Sequence, residues 1–255
     1  MAKRNGLGKG ILISALTAAM VFTGIPVYAS PARQVSGKQE EKILLPEKKT
    51  VTSIDFTEME NLDSLPEGWV LSNGSGSSGL VEGEDGKALK MTRSQDGGEL
   101  SLANSSLNIQ ESEYRYVTID TRIKVSSEGY ANQFSMPYIQ NENGATVYTL
   151  FTNDDWTQYK SHVTDKNHVL EAGTLTKDLW QDVRMDIDME TDTFRVSVDG
   201  EYILAGVNAR EKTDNLQTIK YYADSWNRGT IYLQSVKVTA EKERSESAVF
   251  YVSNN

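Results

Sequence analysis

The sequence predicts an all-β fold, a two-sheet antiparallel β-sandwich of the jelly-roll kind. Three observations predict it. The first is the segment WQDVRMDIDMETDTFRVSVDG (Trp180–Gly200). In it Val183, Met185, Ile187 and Met189 alternate with Asp182, Arg184, Asp186 and Asp188, and Phe194, Val196 and Val198 alternate with Arg195, Ser197 and Asp199. A period of two, repeated on both sides of a polar break at Glu190 to Asp192, means two half-buried strands joined by a tight turn. The second is the recurrence of short alternating segments from Ser53 to Glu241, divided by clusters of Gly, Asn, Asp and Ser. The third is the lack of an amphipathic helical stretch of useful length. One wet and one dry face per strand implies a sheet packed on a second sheet.

The strands follow in order. Lys87–Thr92 alternates, and Glu99–Leu102 and Ser106–Ile109 are short candidates. Tyr116–Val125 is long and regular, with Val117, Ile119, Ile123 and Val125 on one side and Tyr116, Thr118, Asp120, Arg122 and Lys124 on the other. Asn132–Gln140, Thr146–Phe151, Thr157–Val163, Val183–Met189, Thr193–Asp199, Gln217–Tyr222 and Thr230–Thr239 complete the set. In the last, Ile231 and Leu233 share one parity and Val236 and Val238 the other, which predicts a bulge near Gln234 or Ser235. Trp69 and Trp180 are assigned to the core. Gly74–Gly79 (GSGSSG) matches Gly-x-Gly-x-x-Gly but opens no helix, so it reads as a flexible loop.

The termini read differently. Lys3, Arg4 and Lys9 precede an apolar run from Ile11 to Ile25, and Val27-Tyr28-Ala29 places small residues where signal peptidase reads. Residues 1–29 are therefore expected to be a signal peptide. The apolar run falls short of the ~20 residues that span a bilayer. Residues 30–52 read as a flexible linker, 53–241 as the sandwich, and 242–255 as a tail or an added edge strand. A secreted, extracellular, monomeric protein with no membrane attachment after cleavage is the expectation. Cysteine is absent, so the core must hold without disulfides. Loss of the signal takes the net charge from −10 to −13, because Lys3, Arg4 and Lys9 leave with it. Such a chain is a poor partner for nucleic acid or anionic membranes. An anionic polysaccharide would need a local basic patch, and the linear sequence displays none.

The order DFTEMENLDSLPEGW (Asp55–Trp69), GKALKM (Gly86–Met91), YVTIDTRIKV (Tyr116–Val125), the Trp180–Gly200 hairpin and RGTIYLQSVKV (Arg228–Val238) resembles the concanavalin A-like lectin/glucanase superfamily. It is similar in particular to the laminin G-like jelly rolls of bacterial secreted proteins. That resemblance implies the sandwich, and a choice among lectin, carbohydrate-binding module, glycosidase, polysaccharide lyase and adhesion domain.

Asp186, Asp188 and Glu190 are similar to the Glu-x-Asp-x-Glu run of retaining glucanases in that superfamily. The resemblance implies nucleophile, assistant and acid/base, two apart on one strand face. This chain carries Asp at the nucleophile position, and Glu190 falls in the turn, so a solvated outer face is the reading the pattern favours. A lyase would need a base–acid pair such as His162 with Tyr159, which have opposite parity in a regular strand. No Gly-x-Ser-x-Gly elbow occurs. No catalytic residue and no metal ligand are assigned. No cofactor is expected, though the acidic loop Asn153-Asp154-Asp155 has oxygen ligands of the type calcium takes.

Binding remains. Sugars offer apolar C–H faces and dense hydroxyls, which suit rings with polar tips. Tyr130, Tyr138, Tyr148, Trp156 and Tyr159 cluster in the central third, and Tyr221, Tyr222 and Trp226 form a second group. Tyr138 and Tyr148 lie on adjacent predicted strands and could form a platform. Asn132, Gln133, Gln140 and Asn153 could orient hydroxyls. The expected ligand-binding set is Tyr138, Tyr148, Trp156, Tyr159, His162 and Gln140, for a non-catalytic domain that binds a cell-wall or extracellular polysaccharide or oligosaccharide. A lyase or glycoside hydrolase is the alternative, and a structural surface or matrix protein the third.

Overall fold

A computed structural model describes residues 47–83, 85–93, 97–126, 134–155, 158–165, 168–173, 175–223 and 228–243, with the backbone alone at 153–155, 158–162 and 169. The strands are β1 (Lys48–Asp55), β2 (Trp69–Ser72), β3 (Ser77–Gly83), β4 (Gly86–Arg93), β5 (Leu100–Asn104), β6 (Ile109–Gln110), β7 (Tyr116–Val125), β8 (Phe134–Gln140) and β9 (Thr146–Asp155). They continue as β10 (Gln158–Thr164), β11 (Val169–Gly173), β12 (Trp180–Asp188), β13 (Thr193–Val198), β14 (Glu201–Asn208), β15 (Asn215–Leu216), β16 (Thr218–Ala223) and β17 (Gly229–Glu241). One sheet runs β14-β13-β12-β7-β17-β4-β3, with β1 also paired to β17. The second runs β11-β10-β9-β8-β16-β5-β2. The pairings are antiparallel and the two sheets stack as a sandwich.

The period-two pattern does what it predicts. Along β7 every second residue is buried, and β12 and β13 form the expected hairpin, with Asp186 opposite Arg195 and Ile187 opposite Phe194. Inward residues of both sheets form one core. Tyr148 of the seven-stranded sheet meets Phe194 of the eight-stranded sheet edge-on, with centroids 5.4 Å apart. Tyr221 Oη lies 2.6 Å from Thr121 Oγ1 across the same interface. Arg93 ties the sheets at one end. It is 1% exposed and donates to the carbonyls of Gly97, Gly98 and Ala223.

The bulge in β17 is present, with the register to β7 shifting between Leu233 and Ser235. It has a structural cause. Gly229–Leu233 pairs with β4, whereas Ser235–Glu241 pairs with β1, so Gln234 marks an exchange of neighbours. The Gln234 amide donates to Asp85 O at 2.7 Å, and its carbonyl accepts from Phe56 N at 2.9 Å.

Three expectations need correction. The linker does not extend to residue 52: β1 starts at Lys48, and Thr52 Oγ1 accepts from the Trp69 indole (3.0 Å) and from Asn104 Nδ2 (3.1 Å). Trp69 is in the core as expected. Trp180 is not; it shares the parity of Asp182 and Arg184 and stands half-buried on the outer face, beneath Lys124 Nζ at 5.1 Å. Within GSGSSG, Ser77, Ser78 and Gly79 are already strand, as the first residues of β3.

Candidate functional site

The outer face of the seven-stranded sheet brings together part of the expected set. In β16 the inward Ile219, Tyr221 and Ala223 are buried, which turns Lys220 and Tyr222 outward. In β8 the same alternation turns Tyr138 and Gln140 outward. Pairing sets Tyr138 beside Lys220, and an extra residue of β8 between Ser135 and Tyr138 brings Tyr222 opposite Ser135. The two rings meet edge to face, with centroids 5.0 Å apart at 78°. This is a favourable aromatic geometry, and both rings stay half-buried.

Polar groups fix and surround the pair. The Tyr138 hydroxyl hydrogen-bonds Thr146 Oγ1. Gln140 Nε2 donates to Gly144 O at 2.6 Å. Lys220 lies 3.8 Å from Glu99 and 6.0 Å from the centre of the Tyr222 ring. Thr149, directly across from Tyr138, is 4% exposed, and among the described residues its hydroxyl has no hydrogen-bond partner. A buried hydroxyl without a partner is costly, and this one borders the ring pair.

Tyr148 requires correction. It is 0% exposed, opposes Ile139 rather than Tyr138, and faces the core. Adjacent strands do carry both tyrosines, but a residue directly opposite Tyr138 has odd parity in β9, so the even-numbered Tyr148 takes the other face. Burial raises its pKa above the ordinary tyrosine value. Asn153, Asp154 and Asp155 form no loop; their backbone continues β9 and pairs with Lys160, Tyr159 and Gln158. Tyr159 and His162 lie on β10 of the same sheet, and His162 pairs with Phe151. Their side chains fall outside the described residues, as do Trp156, Tyr130, Asn132, Gln133 and Trp226.

Sequence reasoning overlooked Lys220 and Thr149. The alternation within TIKYYA could have found Lys220, because it shares the parity of Tyr222. Thr149 has no sequence signal, since its significance comes from the missing partner.

The carboxylates stand on the other sheet. Asp186 accepts from Arg195 Nε (3.0 Å) and Thr118 Oγ1 (3.0 Å). Asp188 receives Arg115 in bidentate fashion (3.1 and 2.9 Å), and the same guanidinium pairs with Glu190 in the turn. The Asp188 hydrogen bond raises the Arg115 pKa. A groove of about 520 Å³ beside these pairs is lined by Asp120, Arg122, Asp182, Arg184 and Tyr202. Its charges face one another: Arg184–Asp120 at 2.6 Å and Arg122–Asp182 at 3.2 Å. Among the described residues no group of three His, Asp or Glu side chains is placed to hold a metal ion.

No protein-family model matches the sequence, and no curated protein matches it. Solved structures do resemble the fold. A sialidase superposes with a TM-score of 0.57 at 9% identity, over 78% of this chain and 19% of the sialidase chain. A carbohydrate esterase from Shiga toxin-encoding bacteriophage phi24B gives 0.55 at 16% identity, over 76% of this chain and 99% of that one. The CBM2 module of the evolved Dit protein of Lactobacillus casei BL23 phage J-1 gives 0.54 at 13% identity, over 79% and 99%. At these identities the likeness establishes a shared β-sandwich.

Proposed function

We propose that this protein is a secreted, non-catalytic carbohydrate-binding domain of the concanavalin A-like kind. It takes a cell-wall or extracellular polysaccharide or oligosaccharide on the outer face of its seven-stranded sheet. The observation that carries this reading is the half-buried, outward-facing Tyr138–Tyr222 pair, flanked by Gln140 and Lys220. Rings supply apolar contact for sugar C–H faces, and the Gln140 amide supplies orientation. Trp156 and His162 are proposed as further ligand contacts. Two of the resembling structures bear the names of a carbohydrate esterase and a carbohydrate-binding module, which agrees with a sugar ligand. The non-catalytic reading is supported by the arginines that already occupy Asp186, Asp188 and Glu190.

Affinity electrophoresis in gels of uncharged glucan, mannan and xylan tests it. Retardation by at least one polymer is expected, weakened about tenfold in Tyr138→Ala and in Tyr222→Ala at unchanged thermal stability. Trp156→Ala should weaken it as well. Indifference to the whole panel would overturn the reading. Release of reducing ends, or of unsaturated products absorbing in the ultraviolet, would overturn its non-catalytic part.

A further inference from the structure

Four residues far apart in sequence stand in one row on the outer face of the eight-stranded sheet. Lys90 of β4 opposes Tyr232 of β17, Tyr232 opposes Lys124 of β7, and Lys124 opposes Trp180 of β12. The row crosses four strands, or ~14 Å at the usual strand spacing. Cations and rings alternate along it. Lys90 Nζ lies 5.6 Å and Lys124 Nζ 4.6 Å from the Tyr232 ring centre, and Lys124 Nζ lies 5.1 Å from that of Trp180.

Among the described residues no carboxylate stands within ion-pair distance of either ammonium; the lysines that do pair are Lys48, Lys87, Lys212 and Lys220. The rings hold the two cations in place by cation–π attraction and leave their charge uncompensated. In a chain this acidic, an uncompensated cation pair is a local exception to the overall field. At the β4 end the row opens into a recess of about 320 Å³ lined by Ser77, Gly79, Lys90 and Thr92. Gly79 opposes Lys90, and a Cβ there would meet nothing within 4 Å.

We propose that the row Lys90–Tyr232–Lys124–Trp180 is a second glycan site, which takes an anionic polysaccharide laid across the strands with its acidic groups on Lys90 and Lys124. The backbones of Lys90 and Lys124 are separated by two strand spacings, ~10 Å, about the length of a disaccharide unit. The serine and threonine hydroxyls of the recess suit the neutral hydroxyls of the same chain. A single line of two cations is too narrow for a membrane or a nucleic-acid duplex, which need a broad positive field. Tyr232 is flanked by an ammonium from each neighbouring strand, which obstructs the base stacking that single-stranded nucleic acids use. The site is independent of the Tyr138–Tyr222 face, which lies on the other sheet.

Affinity electrophoresis of the full chain at low salt, in gels of polygalacturonate, dextran sulfate or uncharged hydroxyethylcellulose, tests the assignment. Retardation by one or both anionic polymers is expected, and the stronger of the two identifies carboxylate or sulfate as the preferred group. Lys124→Met keeps the side-chain stem over the rings and should weaken retention about tenfold, with Lys90→Met additive to it. Gly79→Glu, at an open edge-strand position, should weaken it by supplying a carboxylate to Lys90. Tyr138→Ala should leave it unchanged, whatever the outcome with uncharged glycans. Passage of the wild-type chain through both anionic gels without delay would overturn the proposal. So would a Lys90→Met/Lys124→Met protein retained as strongly as wild type, or tighter binding to oligothymidylate than to either polymer.

Discussion

On β7, Arg122 and Lys124 stand two residues apart on the same outer face, and they are treated in opposite ways. Arg122 pairs with Asp182 at 3.2 Å, whereas Lys124 lies between the Tyr232 and Trp180 rings. The contrast extends across the sheet. Towards Tyr116, every arginine is matched: Arg184 to Asp120, Arg195 to Asp186, Arg115 to Asp188 and Glu190. Towards Val125, the lysines have rings for neighbours. The planar guanidinium fork fits a carboxylate, whereas the ammonium is a point charge that rests well on a π face. On β17 the bulge at Gln234 divides the two regions, with Tyr232 outward before it and Ser235 and Lys237 after it. One half of the face is closed electrostatically and contributes to stability; the other is open and available to a ligand.

The largest expected effect tests the closed half. Arg195 and Asp186 are both 13% exposed in their side chains, the most sheltered of the pairs described. Asp186→Ala would leave Arg195 sheltered with its carboxylate gone and would also remove the partner of Thr118. A loss of about 2 kcal/mol is expected, or roughly 4–8 °C in Tm for a domain of this size. Lys124→Met should stay within about 0.5 kcal/mol of wild type by the same thermal measurement. Equal losses in the two variants would break the comparison.

The strands of this face were legible in the sequence, but its row of cations was not. Tyr116–Val125, the β12–β13 hairpin and the bulge near Gln234 all follow from period-two alternation, which one wet face enforces. Trp180 was misassigned although its even number already placed it with Asp182 and Arg184. Parity is the better guide to the face a strand residue takes, even for a large ring. β1 was missed because KKTVTSID carries little apolar weight; its value lies in Thr52, which satisfies two donors from other strands. Lys90, Lys124, Trp180 and Tyr232 become neighbours only through cross-strand register, which alternation along a single strand does not encode. The Tyr138–Tyr222 corner lay in between: both rings were visible as candidates, but their meeting depends on cross-strand register, which is shifted by an extra residue of β8 between Ser135 and Tyr138.

The core beneath the closed half offers a sharper test, with smaller effects. Tyr221 Oη reaches Thr121 on β7, and Tyr148 packs under Phe194 on β13 with its hydroxyl unpartnered among the described residues. Tyr221→Phe should cost about 1 kcal/mol, whereas Tyr148→Phe should be neutral or stabilising by up to about 1 kcal/mol. Burial raises the pKa of both hydroxyls above the ordinary value. The folded state therefore keeps its protons at alkaline pH while the unfolded chain releases them. Their contribution is complete below pH ~10 and falls as pH rises beyond it. Urea titrations from pH 8 upward should show this decline, shallower in either Phe variant and shallowest in the double variant. An unchanged slope would assign alkaline sensitivity to the surface pairs instead of the core.

The smallest effect grades the closed half internally. Arg184 and Asp120 are only 2.6 Å apart, but their side chains are 51% and 38% exposed. The Asp120 hydrogen bond raises the Arg184 pKa, so the guanidinium remains charged throughout the accessible range. Water screens this pair far more than Asp186–Arg195, and exposed pairs contribute little despite short distances. Arg184→Met should therefore shift the thermal midpoint by the equivalent of about 0.5 kcal/mol or less, and the difference should vanish in ~1 M salt, where the screening length is ~3 Å. If Arg184→Met cost as much as Asp186→Ala and persisted in salt, the paired arginines would act as one cooperative lattice. If the graded result holds, shelter from solvent decides what each pair contributes, and charge matching alone does not.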